Sequence, residues 1–311
     1  INDLTIRGNL VADGGTIKLD GNYPTGTDNV ALGNQALEAV EAGGIQNTAV
    51  GNQSLENVTT GDNNIGVGHR TLCTLTTGSC NVAVGKDALR TNTGDSNVAM
   101  GQEALVVNTT GCRNSSFGSL SLDANTEGDT NVAVGYQSLS ANTTADNNTA
   151  VGSFALLANT TGTKNTSVGK SSLATNTTGT CNTALGVDAL TNATPASKNT
   201  AVGTSSLSTN TTGANNTAVG FNSLLSNTTG ASNVAVGKGS LDANTEGSCN
   251  VAVGEDSLGA NNTGVRNVAV GTIALLSNTT GGENTAVGWG SQANNTTASY
   301  STAVGFKSMC T

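Results

Sequence analysis

Charged and aromatic side chains are scarce in this sequence of 311 residues. Asp, Glu, Lys and Arg together make up 11% of the chain, aromatic residues make up 3%, and only 2 residues are proline. An ordinary globular domain contains about 25% charged residues, so a surface of mixed charges is not what keeps this protein in solution. Asn, Thr and Ser must supply the polar surface instead.

The little charge that is present is mostly negative, with a formal net charge of −9 and a pI of about 4.4. This charge argues against nucleic acid or an anionic membrane surface as a partner. No apolar run approaches the roughly 18 residues that a membrane span needs, so no span is predicted. The sequence starts at Ile1 with neither an initiator methionine nor a signal peptide, and we therefore expect a processed chain or a fragment.

Patterns that mark catalytic and metal sites are missing as well. His69 is the sole histidine, and no nucleophile or carboxylate arrangement accompanies it, so we interpret it as a solvated side chain. The cysteines lack C-x-x-C spacing, the acidic residues are scattered, and the Gly-Gly-x-Gly-x-Asp calcium repeat does not occur. The sequence predicts no catalytic residue, no metal site and no cofactor, and an enzyme is the least supported class.

What the sequence does contain is a repeat. The pentapeptide N-[TV]-A-V-G, or a close variant, opens sixteen full units and a partial seventeenth at Ser301. From Asn97 to Ser301 every interval is 17 residues, whereas Asn29 opens a unit of 18 and Asn81 a unit of 16. We number the positions of the unit 1 to 17 and its copies as coils 1 to 17. A fixed period of this length predicts a solenoid, in which each coil buries its apolar side only against its neighbours.

Position 5 is glycine in every copy, as at Gly33, Gly51, Gly135, Gly220 and Gly305. A site that accepts no side chain in any coil predicts a turn with positive φ or a close approach of the next coil. A disordered chain would not need such a glycine, nor regular Val and Leu positions, so we expect a folded chain.

The apolar positions predict strands. Positions 2 to 4 form a short strand, and because position 4 is always large and apolar we expect it to face the core, with position 2 on the same face near its edge. Position 9, Leu in fifteen copies, should supply a second apolar strand. The coil is then a strand, a glycine turn, a second strand and a polar turn, which makes the fold all-β, a parallel β-solenoid with about 17 residues per coil.

The polar positions predict a ladder and a turn. Position 1 is Asn in sixteen copies, and we expect a stacked ladder in which each side-chain amide bonds the coils above and below. Positions 12 to 15, typically N-T-T-G, have turn composition, with Gly or Asn able to take the left-handed conformation.

Two segments frame this organisation. Residues 1–28 precede the repeat, and the alternating stretches at 4–7 and 16–19 predict a short β cap or a junction to a preceding fibre segment. Residues 29–311 form the solenoid. Its end at Thr311 has no polar capping repeat, so we expect another segment, another subunit or trimer closure to cover it.

Six cysteines lie within the repeat, and they leave two interpretations open. Cys181 and Cys249 occupy position 17 four coils apart, so at about 4.8 Å per coil they are roughly 19 Å apart and cannot pair within one straight chain. They are either free thiols of a protein assembled in a reducing cytoplasm or members of interchain disulfides. The cysteines considered for interchain bonds are Cys80, Cys181, Cys249 and Cys310.

The residue at position 6 varies from coil to coil, and this position holds four of the eight aromatic residues. These side chains should project outward just after the glycine turn, where exposed aromatic groups often contact sugars or proteins. The simpler interpretation is that turn positions vary freely. The candidate binding residues are Tyr136, Phe221, Trp289 and Phe306.

The N-[TV]-A-V-G-x-x-[SA]-L core resembles the repeats in the head domains of trimeric autotransporter adhesins, over residues 29–311. That resemblance implies a left-handed parallel β-roll with three chains to a fibre, although this unit is longer by its N-T-T-G turn. With the lead-in D-L-T-I-R-G-N-L-V-A-D-G-G-T-I-K-L-D-G, the repeats also resemble tail-fibre and appendage proteins of bacteriophages.

Three functions follow as hypotheses. The first is a homotrimeric shaft of a phage appendage, located on the virion, joined to fibre or virion segments at both ends, and presenting a surface for a cell-surface glycan or protein receptor. The second is the head of a trimeric adhesin on a bacterial surface. The third is an ice-binding solenoid with Thr columns at positions 13 and 14, although Glu127, Pro195 and Glu246 interrupt them.

Overall fold

The computed structural model describes residues 26–41 and 43–309, and these form a parallel β-solenoid. Within the described residues the chain has seventeen strands of three residues each and no helix. The expected strands at 4–7 and 16–19 lie outside the described residues. The strands are β1 Val30–Leu32, β2 Thr48–Val50, β3 Ile65–Val67, β4 Val82–Val84, β5 Val98–Met100, β6 Ser115–Phe117, β7 Val132–Val134, β8 Thr149–Val151, β9 Thr166–Val168, β10 Thr183–Leu185, β11 Thr200–Val202, β12 Thr217–Val219, β13 Val234–Val236, β14 Val251–Val253, β15 Val268–Val270, β16 Thr285–Val287 and β17 Thr302–Val304.

Every strand pairs in parallel and in register with the strand of the next coil. In the middle of the stack, for example, Thr200 lies beside Thr217 and Ala201 beside Ala218, and the same register holds from the first pair of strands to the last. Sixteen steps at the usual strand spacing of about 4.8 Å give a rod roughly 77 Å long. The predicted all-β solenoid with about 17 residues per coil is confirmed.

The strand faces the opposite way from the prediction. Position 3 is inside, with Ala201 fully buried, whereas positions 2 and 4 point outward, and Leu32 at position 4 is 57% exposed. The reason is that positions 8 and 9 already fill the interior. At Gly66, in position 3 of coil 3, an added Cβ would lie 2.5 Å from Ser54 Oγ and 3.3 Å from Leu55 Cγ. Only a residue as small as Ala or Ser fits there, so the large apolar side chains are outside.

Position 9 was predicted correctly as core and wrongly as strand. Leu207 and its equivalents are fully buried, but φ is +52° at Leu207, in the left-handed region, so this part of the coil is a turn. Left-handed backbone costs a non-glycine residue roughly 1 kcal/mol, and the next coil offsets this cost because Leu207 N–H donates to the Ser223 carbonyl at 3.0 Å. The described chain therefore has one strand per coil, not two.

Position 5 needs glycine for both of the predicted reasons. At Gly203, φ is +129° and an added Cβ would lie 2.5 Å from the Gly220 carbonyl oxygen of the next coil. The N-T-T-G turn differs from the prediction, because its glycine does not take positive φ. At Gly111 the constraint is only space, since a Cβ would lie 2.6 Å from the Gly128 carbonyl. The left-handed residue of this turn is at position 17, as at Asn215 with φ of +60°. The five glycines singled out from the sequence, Gly33, Gly51, Gly135, Gly220 and Gly305, all have positive φ.

The asparagines of position 1 link each coil to a neighbour through the backbone. The Asn216 backbone N–H donates to Asn199 Oδ1 at 2.9 Å, and Asn216 Nδ2 donates to the Gly230 carbonyl of its own coil at 2.8 Å. The predicted bond from amide to amide forms at four steps of the column, for example from Asn64 Nδ2 to Asn47 Oδ1 at 3.1 Å, and the backbone hydrogen bond is the regular link between coils. Each side chain closes its own coil and receives one backbone hydrogen bond from the next.

A second ladder, built from amide to amide, lies at position 12, where the sequence predicted only a turn. Asn159 is fully buried, and its Nδ2 donates to Asn142 Oδ1 at 3.1 Å and to the Gly162 carbonyl at 2.9 Å. The ladder runs from Asn92 to Asn176 and again from Asn210 to Asn278. Ala193 of coil 10 separates the two runs.

The position-12 ladder should be a main source of stability. We expect Asn159→Ala to lower the free energy of unfolding by about 2–4 kcal/mol, because it leaves buried polar groups on two coils without partners. Thr161→Ala, which changes an exposed position of the same coil, should cost less than about 0.5 kcal/mol. Urea unfolding followed by circular dichroism measures both, and equal losses in the two variants would contradict the role of the ladder.

The glycine of position 5 can be tested against a glycine that is free of the same constraint. Gly203→Ala should destabilise the protein by more than about 3 kcal/mol or prevent folding, because it combines a forbidden φ with a backbone clash. Gly290→Ala is the control, since φ there is +62° and the nearest atom to an added Cβ is Lys307 Cγ at 3.5 Å. Comparable thermal midpoints for the two variants would show that the close approach is not required.

Candidate functional site

One surface that runs along the whole described solenoid is the outward side of the sheet, formed by positions 2 and 4 of all seventeen coils, which we call the strand face. No charged residue occurs at either position in any copy. With a length of roughly 77 Å and a width of about 10 Å, it covers on the order of 770 Å². The largest apolar patch of a monomeric protein is typically about 300–600 Å². Among its exposed members are Leu32, Ile65, Met100, Phe117 and Leu185.

Positions 6, 7 and 10 form a second, variable surface, which we call the outer turn face. Its most buried charge is Asp87, whose side chain is 3% exposed and lies 2.8 Å from Arg70 Nε. Lys86 and Arg90 approach the same carboxylate at 3.6 and 3.9 Å. These three cations balance the negative charge of the Asp87 carboxylate. Because Arg70 belongs to coil 3 and the other three residues belong to coil 4, the cluster joins the two coils. His69 beside it is exposed, as predicted.

The outer turn face also brings together two carboxylates that the sequence did not nominate as a pair. Burial, followed by the charge of Asp256, raises the pKa of Asp242. The two residues belong to adjacent coils at positions 10 and 7. Within the described residues, no group of three His, Cys, Asp or Glu side chains could hold a metal ion.

The four aromatic residues predicted to project outward at position 6 are all exposed. Tyr136 makes an edge-to-face contact with Phe154 of the next coil, with ring centroids 5.5 Å apart. Phe154 lies at position 7 and was missed, because nothing in its own repeat unit marks it. Phe221 is 52% exposed and Phe306 is 73% exposed. The predicted exposure is confirmed for all four.

Trp289 and Phe306 differ from the other aromatic residues because they stack. Their ring centroids are 5.2 Å apart with planes inclined by 16°, and the Lys307 ammonium lies 5.1 Å from the indole and 5.7 Å from the phenyl centroid. Beside the indole is an open groove of about 350 Å³, which we call the Trp289 groove. It is lined by Ile273, Trp289, Gly290, Ala293, Asn294 and Lys307.

The cysteines of the described residues are all free thiols. Cys80, Cys181 and Cys249 are exposed at position 17, two residues before the outward position 2, so they lie beside the strand face. Cys310 lies outside the described residues. Whether these cysteines form bonds between chains stays a prediction.

Cys73 has a distinct environment among the thiols. Its Sγ donates to Glu56 Oε2 at 3.2 Å. Burial, together with the hydrogen bond to Glu56 and the negative charge of that residue, raises the pKa of Cys73 to about 11. Because the thiolate is the reactive form, Cys73 should react more slowly than the exposed thiols Cys181 and Cys249.

That difference in reactivity can be measured by alkylation. At pH 8 we expect Cys73 to react with iodoacetamide about tenfold more slowly than Cys181 or Cys249, since its small thiolate fraction outweighs its higher intrinsic nucleophilicity. Glu56→Gln removes the charge and should accelerate Cys73 without changing the other two. Peptide mass spectrometry gives the rates. Equal rates at all three cysteines, or no response to the substitution, would show that Glu56 does not control Cys73.

No helix among the described residues is long and apolar enough to cross a membrane. Comparison with protein-family models gives no match, and comparison with curated protein sequences gives none either. Function must therefore be inferred from the strand face and the outer turn face themselves.

Proposed function

We propose that this chain is the shaft of an appendage fibre, which associates with two further copies of itself through the strand face and holds an attachment surface away from its anchor. One observation carries the proposal. The strand face is uncharged and largely apolar along the whole length of the described solenoid, whereas charged residues are placed on the other outward surfaces.

A second copy of the chain is the partner that fits the strand face best. The face is long, narrow and periodic, so a matching partner needs the same length and the same spacing, which another copy has by construction. Its area of on the order of 770 Å² per chain would be shared between the two neighbours of a trimer, and together three such faces would bury on the order of 2,300 Å². Because no charge lies on the face, chains with a net charge of −9 can meet there without desolvating charged groups.

The number three comes from the resemblance to the trimeric adhesin repeats. Three strand faces around an axis would form a closed prism, and every outward Val or Leu of position 4 would be covered. The exposed cysteines at position 17 would then lie near the subunit boundaries, where an interchain disulfide is geometrically reasonable. The outer turn face of each chain would remain outside and available for contact with a receptor.

Stiffness is the mechanical property that such a shaft needs. The in-register sheet runs without a break from β1 to β17, and the asparagines of positions 1 and 12 add hydrogen bonds between coils on the other sides. A rod roughly 77 Å long would space an attachment surface from its anchor. A virion appendage and a bacterial surface adhesin would use this rod in the same way, and immunogold labelling of virions and of cells separates the two locations.

An ice-binding function is favoured by the threonines of the strand face and not by those of the polar turn, where the sequence predicted the Thr columns. The Thr side chains of position 13 face their own chain, as Thr228 Oγ1 donates to the Thr245 carbonyl at 3.0 Å. On the strand face, however, coils 8 to 12 carry an unbroken outward column of Thr at position 2, beside Val or Leu at position 4. A monomer would leave this flat array free to contact ice.

The subunit contact is tested by placing a charge on it. We expect the purified chain to have three times its 30.6 kDa mass in light scattering, and Val202→Lys to dissociate it, because three buried ammonium groups would meet at the axis. Thr204→Lys is the matched control. It lies two residues away at position 6, where Lys occurs in other coils, and should remain trimeric. Circular dichroism should show unchanged folding in both variants.

A folded wild-type monomer would overturn the trimeric shaft, and thermal hysteresis should then be measured for the ice-binding function. Dissociation by both Lys variants would show that position 6 belongs to the interface as well. The mass of the wild-type trimer should also be measured in reductant. An unchanged mass would show that packing holds the subunits together, and a fall to the monomer mass would show that interchain disulfides do.

A further inference from the structure

We propose that the Trp289 groove is a binding site for an acidic saccharide. The inference rests on the proposed function, attachment, and it names the chemical class of the partner and the residues that bind it. The groove is set apart from the rest of the outer turn face by its shape, by its aromatic wall and by its charge.

The shape comes from small residues placed between large ones. Ile273, Gly290 and Lys307 occupy position 7 of successive coils, so the missing side chain of Gly290 leaves a gap between the other two. Ala293 at position 10 keeps the floor low. The resulting volume of about 350 Å³ is at the lower end of the roughly 300–1,000 Å³ typical of ligand sites. An open site of this size accommodates one or two sugar rings and has no deep apolar pocket for a peptide side chain.

The indole of Trp289 forms the aromatic wall of the groove. Phe306 belongs to coil 17 and stacks on one side of the indole, so the other side of Trp289 is directed toward coil 15, where Ile273 lines the groove. The face of an aromatic ring carries partial negative charge and attracts the weakly positive C–H groups of a sugar ring laid against it. Asn294 also lines the groove.

The charge favours an anion. Lys307 is the sole charged residue between Asn284 and Thr311, and no carboxylate of the described chain lies within ion-pair distance of it. The contrast is Phe221, which has the same position in coil 12. The lysine that follows it one coil later, Lys238, is engaged by Glu255 at 2.9 Å. Beside Trp289, by contrast, the Lys307 ammonium can pair with a carboxylate of a bound ligand.

The sole tryptophan of the chain lies in the site, so its fluorescence reports binding directly. The probes are a β-1,4-linked glucuronic acid tetramer and cellotetraose, which differ only in the carboxylates at C6. We expect a saturable change in emission with the acidic tetramer and none with cellotetraose. Raising the salt concentration to about 0.5 M should weaken binding, because screening acts on the contact between Lys307 and the carboxylate.

Variants assign the contacts. Lys307→Gln should weaken binding of the acidic tetramer about tenfold or more, as expected for loss of a charge-assisted hydrogen bond. Trp289→Ala, measured by calorimetry, should abolish binding. Phe221→Ala removes the equivalent aromatic side chain whose neighbouring lysine is already paired, and it should leave the titration unchanged.

Three results would overturn the inference. The first is an unchanged emission at about 10 mM tetramer, and the second is an equal response to cellotetraose. The third is a loss of trimer mass in Trp289→Ala, which would make the stack a subunit contact. A fluorescence response from a monomeric protein would support the saccharide site and contradict the trimeric shaft. A trimeric protein without a response would support the shaft and contradict the saccharide site.

Discussion

Each coil of this solenoid lies one strand spacing from the next and in register with it, so every side chain is stacked on the side chain of its own position. This constraint accounts for the composition of the repeat. A residue that recurs in a column must be able to contact a copy of itself. Asn satisfies this requirement because its amide both donates and accepts, Leu because it packs on Leu, and glycine because it leaves room for the neighbouring carbonyl.

The same constraint explains why charge is scarce. Like charges stacked at about 4.8 Å repel, so a charged residue cannot recur throughout a column at low cost. In some neighbouring coils, opposite charges at one position are joined as ion pairs. Arg70 with Asp87, Lys238 with Glu255, and Arg266 with Glu283 are three such pairs. Their energetic worth differs, because only Asp87 is buried, and exposed pairs contribute about 1 kcal/mol or less.

Much of this architecture could be predicted from the sequence, because a strict period transmits the constraint to every copy. The coil length, the parallel strand and the glycine turn at position 5 were all predicted correctly. The two faces of the strand were exchanged, since apolar size indicates burial only when the interior has room. Here the leucine of position 9 and the residue at position 8 fill it, so the alanine of position 3 is inside and the valine of position 4 is outside.

The position-12 ladder shows a second limit of sequence reasoning. Asn in an N-T-T-G segment indicates a turn, and local composition contains no sign that its amide meets the same amide one coil away. At the aromatic site, the side chains could be predicted from the sequence but their surroundings could not. Exposure at Trp289 and Phe306 could be predicted from the repeat, but the groove depends on Gly290 and Ala293, which occupy positions where most coils carry larger side chains.

Coil 10 divides the position-12 ladder in two. Ala193 provides no amide, and the buried Asn176 Oδ1 at the end of the first run has no hydrogen-bond partner in the described chain. In a repeat protein, each unit is coupled only to its nearest neighbours. Amide polarisation along the first ladder therefore cannot pass into the second. Across coil 10 the coupling is carried by the sheet, by the asparagines of position 1 and by backbone hydrogen bonds such as that from Lys198 N–H to the Thr180 carbonyl at 3.0 Å. The amides of position 12 thus form two separate blocks within a rod whose strand contacts and position-1 contacts are continuous.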